Sequence, residues 1–230
     1  MAEGLFVTGT GTDVGKTYVT ALIVKKLRES GSNAGYYKAA LSGAERRGGA
    51  PVPGDAEFVH RMAGIGGDPA EAVSYIYEHP YSPHLAARME GRPASLAVVR
   101  RDFLRMMKKF DLLTVEGSGG IVCPISLGEG PRLMLEDIVR ETGLPSVVVS
   151  GSGLGAINAA VLTVSYMRAR GLEPRAVIMN NWTAGGIIEE DNRMMIEELA
   201  GVPVVATVAR GADDIGIGAA ELRKLYGGGN

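Results

Sequence analysis

Short runs of apolar residues alternate along this chain with longer segments of helical periodicity. The apolar runs lack the polar alternation of half-exposed strands and are typical of strands buried on both faces. These runs lie at residues 5–8, 36–39, 112–115, 146–149, 176–179 and 202–206. Helical patterns lie at about residues 15–29, 55–63, 82–90, 95–109, 135–142, 156–170, 189–199 and 219–226. The alternation predicts a three-layer α/β fold, with a mostly parallel sheet and helices on both faces.

The composition narrows the class of protein. Apolar residues make up 46% of the chain and charged residues 22%, which is the balance of a globular protein with a core. Thirty-three of the 230 residues are glycine, but they lack the three-residue period of collagen. The formal net charge of −2 and the absence of a long basic run argue against nucleic-acid and anionic-membrane partners.

The length, the termini and the single cysteine set further limits. The length favours a single domain over residues 1–230, with the glycine-rich tail at 227–230 frayed. The Gly- and Pro-rich stretch at 46–54 is the best candidate for a mobile loop. A lone cysteine, Cys123, excludes an internal disulfide and a cysteine metal site. No segment resembles a signal peptide or a membrane span, so the expected location is the cytoplasm.

The strongest local motif lies between the first predicted strand and the first predicted helix. Residues 9–17 read Gly-Thr-Gly-Thr-Asp-Val-Gly-Lys-Thr. Backbone N–H groups of such a loop surround phosphate oxygens, while Lys16 reaches the β- and γ-phosphates and the Thr17 hydroxyl binds Mg²⁺. The first glycine, Gly9, falls one residue earlier than in the common pattern, where Thr10 stands. The motif predicts a nucleoside triphosphate site, and the alternative is a glycine-rich turn without a ligand.

Two charged residues of the next part of the chain are candidates for the same site. Lys38 ends the second predicted strand, and Ser42 follows four residues later. Ligands of open α/β sheets bind at the carboxyl ends of the strands, which makes Lys38 a candidate ligand contact. The alternative is a solvated surface lysine. Asp55 opens a predicted helix, where it either caps the helix or contacts a ligand.

A carboxylate ends the third predicted strand. Glu116 follows that apolar run directly and leads into Gly-Ser-Gly-Gly at residues 117–120. An acid at the carboxyl edge of the sheet is suited to hold Mg²⁺ or a water bound to it, and the alternative is a capping acid before an ordinary turn. Thr17, Asp55 and Glu116 together would form an oxygen-rich site of the kind that Mg²⁺ prefers.

A second glycine-rich passage joins a predicted strand to a predicted helix at residues 151–158. It reads Gly-Ser-Gly-Leu-Gly-Ala-Ile-Asn. Free N–H groups at the start of that helix are able to receive a carboxylate or a phosphate. The alternative is a tight turn that needs the positive φ of glycine.

These motifs, in this order, resemble the dethiobiotin synthetase family. The resemblance extends over the chain to about Asn181, and its most specific part is the phosphate loop with the early glycine. The matching segments are residues 6–17, 35–38 with 42–43, 82–84, 115–120 and 153–158.

The resemblance implies an ATP- and Mg²⁺-dependent cyclo-ligase of biotin biosynthesis. Its substrates are 7,8-diaminopelargonic acid, CO₂ and ATP, and its product is dethiobiotin. One amine captures CO₂ as a carbamate, the carbamate is phosphorylated, and the neighbouring amine closes the cyclic urea. Positioning and charge stabilisation around the transferred phosphoryl group carry most of this catalysis.

The resemblance also implies a role for particular residues. It makes Lys38 and Lys16 the catalytic lysines, and it assigns Mg²⁺ to Thr17, Asp55 and Glu116. The implied ATP contacts are Gly9, Thr12, Asp13, Val14, Gly15, Lys16, Thr17, Tyr18, Asp55, Glu116, Gly117, Ser118, Gly119, Asn180, Asn181, Val208, Ala209 and Arg210. The implied substrate contacts are Thr12, Lys38, Ser42, Gly153, Leu154, Gly155, Ala156, Ile157 and Asn158. The last six belong to the partner subunit of a homodimer, where they receive the tail carboxylate.

One departure from the family affects the base of the nucleotide. Family members usually have Asn-Asp where this chain has Asn180 and Asn181, so the preference for ATP over other nucleotides stays open.

Three other functions are compatible with a phosphate loop. A partitioning or nitrogenase-iron-protein type of ATPase has a signature lysine where this chain has Gly11. An amidating ligase of the cobyrinic acid type needs a glutaminase domain with a nucleophilic cysteine, for which 230 residues leave no room. A non-catalytic nucleotide-binding module would not need Lys38, Asp55 or Glu116 for any turnover.

Overall fold

The computed structural model describes residues 2–128 and 132–227. The strands in chain order are β1 (Glu3–Gly9), β2 (Ala34–Leu41), β3 (Glu45–Arg47), β4 (Ala50–Val52), β5 (Val73–Ile76), β6 (Leu112–Glu116), β7 (Pro124–Ser126), β8 (Leu133–Met134), β9 (Ser146–Gly151), β10 (Pro174–Trp182) and β11 (Val204–Ala209). The helices are α1 (Lys16–Glu29), α2 (Gly54–Ala63), α3 (Pro83–Met89), α4 (Leu96–Lys109), α5 (Leu135–Thr142), α6 (Ala156–Ala169), α7 (Ile187–Ala200) and α8 (Ala219–Arg223), with a short 3-10 helix at Pro69–Ala72.

Seven of these strands form one sheet, in the order β11-β10-β9-β1-β6-β2-β5. All six pairings in it are parallel. The central strands are buried on both faces, as their continuous apolar sequences predict, and all eight residues of β2 are buried. The predicted fold class is therefore confirmed.

The register of the central strands brings the candidate site residues together. Lys38 of β2 pairs with Glu116 of β6, and Glu116 pairs in turn with Val7 of β1. Because parallel strands end at the same edge of a sheet, the phosphate loop after β1, the last part of β2 and the end of β6 lie side by side.

Some predicted elements were wrong. The sequence patterns missed β5, in which three of the four residues are only half-buried and the apolar signal is weak. The stretch at 46–54, predicted as a loop, contains most of the antiparallel hairpin β3–β4. Arg46 of that hairpin contacts Glu78 and Arg47 contacts Glu57, both through paired hydrogen bonds.

The C-terminal end also differs from the prediction. The last helix ends at Arg223 rather than near residue 226, because Tyr226 is buried and its hydroxyl lies 2.6 Å from Thr114 Oγ1. Gly227, predicted to fray, forms two backbone hydrogen bonds with Gly4 of β1. Residues 228–230 of the predicted tail lie outside the described residues. No helix in the described ranges is long and apolar enough to cross a bilayer.

Candidate active site

The phosphate loop leads from β1 into α1. The helix begins after Gly15, whose φ of 91° lies in the left-handed region, and its first N–H groups have no side-chain cap. Lys16 Nζ folds back over the loop and donates to the carbonyl of Gly11 at 2.8 Å. Burial, together with the nearby charge of Lys38, lowers the pKa of Lys16. The loop therefore presents free amides and a lysine to one point, which suits a triphosphate.

Lys38 joins two carboxylates beside this loop. Its Nζ donates to Asp55 Oδ2 at 2.7 Å and to Glu116 Oε1 at 2.6 Å. β2 supplies the lysine, the end of β6 supplies Glu116, and the first turn of α2 supplies Asp55. Three predicted site residues from distant parts of the chain thus meet at one ammonium group.

Glu116 is held by three donors. Thr17 Oγ1 donates to Oε1 at 2.8 Å, Lys38 Nζ donates to the same oxygen, and Tyr36 OH donates to Oε2 at 2.9 Å. The residue is 1% exposed. A buried carboxylate is costly unless it is paired and hydrogen-bonded, and these three donors satisfy it.

The charge of Lys38 follows from its two partners. Burial by itself lowers the pKa of this lysine, but the negative charges of Glu116 and Asp55 outweigh burial and raise the pKa above its ordinary value. Lys38 therefore stays an ammonium at neutral pH, and it supplies a fixed positive charge rather than a base.

A cavity of about 880 Å³ opens over this cluster. Most of its polar lining was predicted from the sequence. The predicted residues that line it are Thr12, Asp13, Gly15, Lys16, Thr17, Tyr18, Lys38, Ser42, Asp55, Glu116, Ser118 and Gly119. Its size and its mixture of a polar floor with an apolar wall fit a small-molecule site.

Other predicted residues do not line the cavity. Asn180 of β10 donates from Nδ2 to the carbonyl of Val14 at 3.0 Å, so it braces the phosphate loop. Val208 is buried and pairs with Asn180 in the sheet, so it has only backbone to offer a ligand. Asn181, Ala209 and Arg210 are exposed at the same edge of the sheet.

Two predicted glycines lie where other segments pack closely against the phosphate loop and β1. Gly9 is the last residue of β1, and a side chain there would crowd Lys16, because a Cβ would lie 3.0 Å from its Cγ and Cδ. Gly117 donates its N–H to the carbonyl of Val7 at 2.9 Å. Both are backbone positions that let neighbouring segments approach closely.

The second glycine-rich passage lies apart from this cavity. The turn from β9 into α6 places Gly153, Leu154 and Gly155 in solvent, and Leu154 is 88% exposed. Asn158 is exposed one turn later, while Ala156 is buried and Ile157 is half-buried. The structure therefore does not bring these six predicted residues to the Lys38 cluster of the same chain.

Sequence reasoning missed several lining or supporting residues. Tyr36 is two residues before Lys38 on β2, so both side chains lie on one face and both reach Glu116. That spacing was the signal that pointed to Tyr36. The apolar wall of the cavity carried no comparable signal, because its residues come from four separate segments. These wall residues are Ala40, Leu41, Phe58, Pro80, Tyr81, Pro83 and Cys123, with Ser82 among them.

Comparisons with known proteins point to one family. A family model described as "AAA domain" matches residues 3–213. A protein named ATP-dependent dethiobiotin synthetase BioD, from Clostridium botulinum (strain ATCC 19397 / Type A), is 46% identical over 226 residues, which cover 98% of this chain and 99% of that protein. A protein of the same name from Clostridium perfringens (strain ATCC 13124) is 49% identical over 210 residues, which cover 91% of this chain and 92% of that protein.

A solved structure supports the fold. The MinC:MinD cell division protein complex of Aquifex aeolicus superposes with a TM-score of 0.56 at 14% identity, covering 90% of this chain and 81% of that one. At this identity the likeness extends to the fold alone.

Proposed function

The chain belongs to the family of ATP-dependent dethiobiotin synthetases, and from this premise we propose that it closes the ureido ring of dethiobiotin from 7,8-diaminopelargonic acid, CO₂ and ATP. The observation that carries the proposal is the Lys38 ammonium, held between Asp55 and Glu116 directly beside the phosphate loop. Asp55 and Glu116 would also serve a chain that only binds nucleotide with Mg²⁺, but such a chain has no need of a buried lysine between them.

The reaction we propose has three steps. One amine of the diamine attacks CO₂, a C–N bond forms, and a proton is released to give a carbamate. A carbamate oxygen then attacks the γ-phosphorus of ATP, the bond to the β-phosphate oxygen breaks, and ADP leaves. Finally the second amine attacks the carbonyl carbon, phosphate leaves, and loss of a proton completes the cyclic urea.

The lysines of the site stabilise charge in the second step. Negative charge on the carbamate and on the transferred phosphoryl group develops where Lys38 already holds a fixed positive charge. Lys16 exchanges its bond to the Gly11 carbonyl for phosphate oxygens. Thr12 and Ser42, at the rim of the same cavity, contact the diamine end of the substrate.

The oxygen atoms around Lys38 are suitable ligands for a magnesium ion. Thr17 Oγ1 lies 2.8 Å from Glu116 Oε1, and Asp55 shares Lys38 with that carboxylate, so two carboxylates and one hydroxyl converge. In the described part of the chain no three His, Cys, Asp or Glu side chains converge, which indicates an ion held with phosphate and water oxygens rather than by protein alone. Bound Mg²⁺ would offset the charge of the β- and γ-phosphates.

The base of the nucleotide lies at the edge formed by β10 and β11. Asn180 already braces the phosphate loop, and the exposed Asn181, Ala209 and Arg210 stand beside it. The amide of Asn181 both donates and accepts hydrogen bonds, whereas a carboxylate only accepts them. We therefore expect this chain to tolerate bases other than adenine.

A second copy of the chain completes the substrate site. The passage from β9 into α6 offers free amides to a carboxylate but does not line the cavity of its own chain. The exposed Leu154 is well suited to burial in a homodimer, which would place this turn over the partner's cavity. Such a dimer would work in the cytoplasm.

The proposal is tested by supplying the purified chain with ATP, Mg²⁺, the diamine and ¹³C-bicarbonate. Mass spectrometry should show dethiobiotin with the label in the ureido carbon, formed together with ADP and phosphate. ATP hydrolysis should depend on the diamine. If ATP is hydrolysed equally with and without the diamine and no labelled product forms, the chain is an ATPase rather than a synthetase.

A further inference from the structure

Two hydrogen bonds and an ion pair join one face of α1 to the loop that follows β11. Tyr18 OH donates to the carbonyl of Ala212, and Lys25 Nζ donates to the carbonyl of Asp213 at 2.7 Å. Lys26 Nζ forms an ion pair with Asp214 Oδ2 at 2.5 Å. Three consecutive residues of the loop therefore contact a single helix.

The spacing of the three helical residues shows that the contact is continuous. Positions 18, 25 and 26 differ by seven and eight residues, so they lie on one stripe of α1, spanning about two turns. α1 is also the helix whose first residues are Lys16 and Thr17. The stripe therefore begins at the phosphate site and runs along the loop.

The loop begins with a backbone turn, in which Ala212 N–H donates to the carbonyl of Ala209 at 3.1 Å, and it is anchored at its far end. Ile215 is fully buried, and Asp214 Oδ1 accepts the N–H of Gly216 at 2.7 Å, so the distal part is fixed. Ala209, the last residue of β11, and Arg210, the first residue of the loop, are exposed at the edge where Asn180 braces the phosphate loop. The contacts with α1, at residues 212–214, lie between the exposed Arg210 and the buried Ile215.

We infer that Tyr18, Lys25 and Lys26 are positioning residues, which hold the loop after β11 in fixed register with the phosphate loop so that ATP binds through its base and its triphosphate at once. This inference rests on the proposed function only in placing the base beside Asn181 and Arg210. Tyr18 also lines the cavity and packs on Phe58, with ring centroids 6.0 Å apart, so the same side chain contacts the helix that carries Asp55.

Two ligands separate this role from a general structural one. With the base placed as proposed, ATP would contact both the phosphate loop and the loop after β11, whereas inorganic tripolyphosphate would contact the phosphate loop alone. Dissociation constants for both ligands are measured by calorimetry, in the presence of Mg²⁺ and without the diamine. Tyr18→Phe should raise the dissociation constant for ATP about three- to tenfold, through loss of one hydrogen bond. Lys26→Met should raise the same dissociation constant about two- to fivefold, a smaller effect because the ion pair is partly exposed.

The tripolyphosphate dissociation constant should stay unchanged in both variants. Lys224→Met is the matched control, because Lys224 forms a comparably short ion pair with Glu221 at 2.7 Å, on a different helix. This control should leave the dissociation constants of both ligands unchanged. Unchanged ATP affinity in Tyr18→Phe and Lys26→Met would overturn the inference, and so would an equal loss for ATP and tripolyphosphate.

The binding measurement is independent of the proposed reaction. A chain that fails to make dethiobiotin but shows the selective loss of ATP affinity would refute the synthetase proposal and support the positioning role. A chain that makes dethiobiotin but shows no selective loss would refute the positioning role alone.

Discussion

Two glycine-rich turns of this molecule share a local backbone and differ in their surroundings. One leads from β1 into α1 and the other from β9 into α6, and β1 and β9 are neighbours in the sheet. Each helix begins after a glycine in the left-handed region, with φ 91° at Gly15 and 88° at Gly155, and neither has a side-chain cap. Both turns therefore offer free amides to an anion.

The difference lies in the charges around each turn, which come from the helix that follows the turn and from strands β2 and β6. Lys16, Lys38 and Glu116 surround the first turn and are all buried. The second turn is exposed at Gly153, Leu154 and Gly155, and it lines no part of the cavity over the cluster. Backbone amides at a helix start suit an anion in both turns, but only the first turn has β6 and then β2 on the far side of β1, which place Glu116 and Lys38 beside it.

The largest effect should come from removing the charge that distinguishes the two turns. Lys38→Met should lower kcat for dethiobiotin formation by about 10²–10³-fold, because charge stabilisation of the phosphoryl transfer is lost. ATP binding should persist, since the phosphate loop is intact. Steady-state kinetics with a parallel ATP titration measure both quantities. Lys108→Met, at an exposed lysine of α4, is the control, and normal turnover in Lys38→Met would refute the catalytic assignment.

The matched glycine substitutions come next, because they change the same backbone position in each turn. The left-handed backbone should cost each of Gly15→Ala and Gly155→Ala about 1–2 kcal/mol in the free energy of unfolding, and Gly15→Ala should lose more in total because its Cβ also clashes with Asn180. Only Gly15→Ala should also weaken ATP binding, by about tenfold. A Cβ there would lie 2.0 Å from Asn180 Nδ2 and would displace the hydrogen bond that Asn180 donates to Val14.

Denaturant unfolding and ATP titration of the two variants check this contrast. At Gly155 a Cβ would meet no atom within 4 Å, so no steric loss is added there. Equal ATP affinities in the two variants would mean that the turns do not differ as described.

A charge placed at the second turn should act on the diamine and not on ATP. Asn158→Asp should raise KM for 7,8-diaminopelargonic acid about tenfold, through repulsion of its carboxylate. The KM for ATP should stay unchanged. Asn158→Gln keeps the site neutral and serves as the control for the side-chain change. An equal rise in KM for both variants would show that charge is not the cause.

The smallest effect on ligation should come from the tyrosine that supports the first cluster. Tyr36→Phe removes the donor to Glu116 Oε2 but leaves Thr17 and Lys38 as donors to Oε1. The free energy of unfolding should fall by about 1.5–3 kcal/mol, since the acceptor is a buried charge. The rate of ligation should change only a few-fold. Thermal unfolding and kcat measured together test this ordering.

The sequence predicted the parts of the site that depend on local pattern. Glycine, lysine and threonine between a strand and a helix identify the phosphate loop, and an acid directly after an apolar strand identifies Glu116. The pairing of Lys38 with Glu116 follows from the register of β2 with β6, which no local pattern specifies. Phe58 and Tyr81 are brought to the cavity only by tertiary packing, so nothing in their own segments marks them.

Local patterns also failed where tertiary contacts decide the structure. β5 is an edge strand whose four residues are mostly half-buried, so its apolar signal is weak. The hairpin β3–β4 contains two glycines and two arginines, and its arginines are paired with Glu78 and Glu57 of other segments. The contacts of Tyr18, Lys25 and Lys26 with the loop after β11 join residues almost two hundred positions apart.

The central claim is that the two turns serve one reaction from two different chains. Lys38→Met and Asn158→Asp are each purified, mixed under conditions that exchange subunits, and assayed at a diamine concentration well below the KM of the unaltered protein. There a tenfold rise in KM leaves Asn158→Asp with about a tenth of the normal activity. If the second turn acts on the partner's cavity, each mixed dimer has one intact site, and activity should return to about a quarter of that of the unaltered protein. If the activity of the mixture stays at the average of its two components although mixed dimers have formed, the two turns do not cooperate across chains.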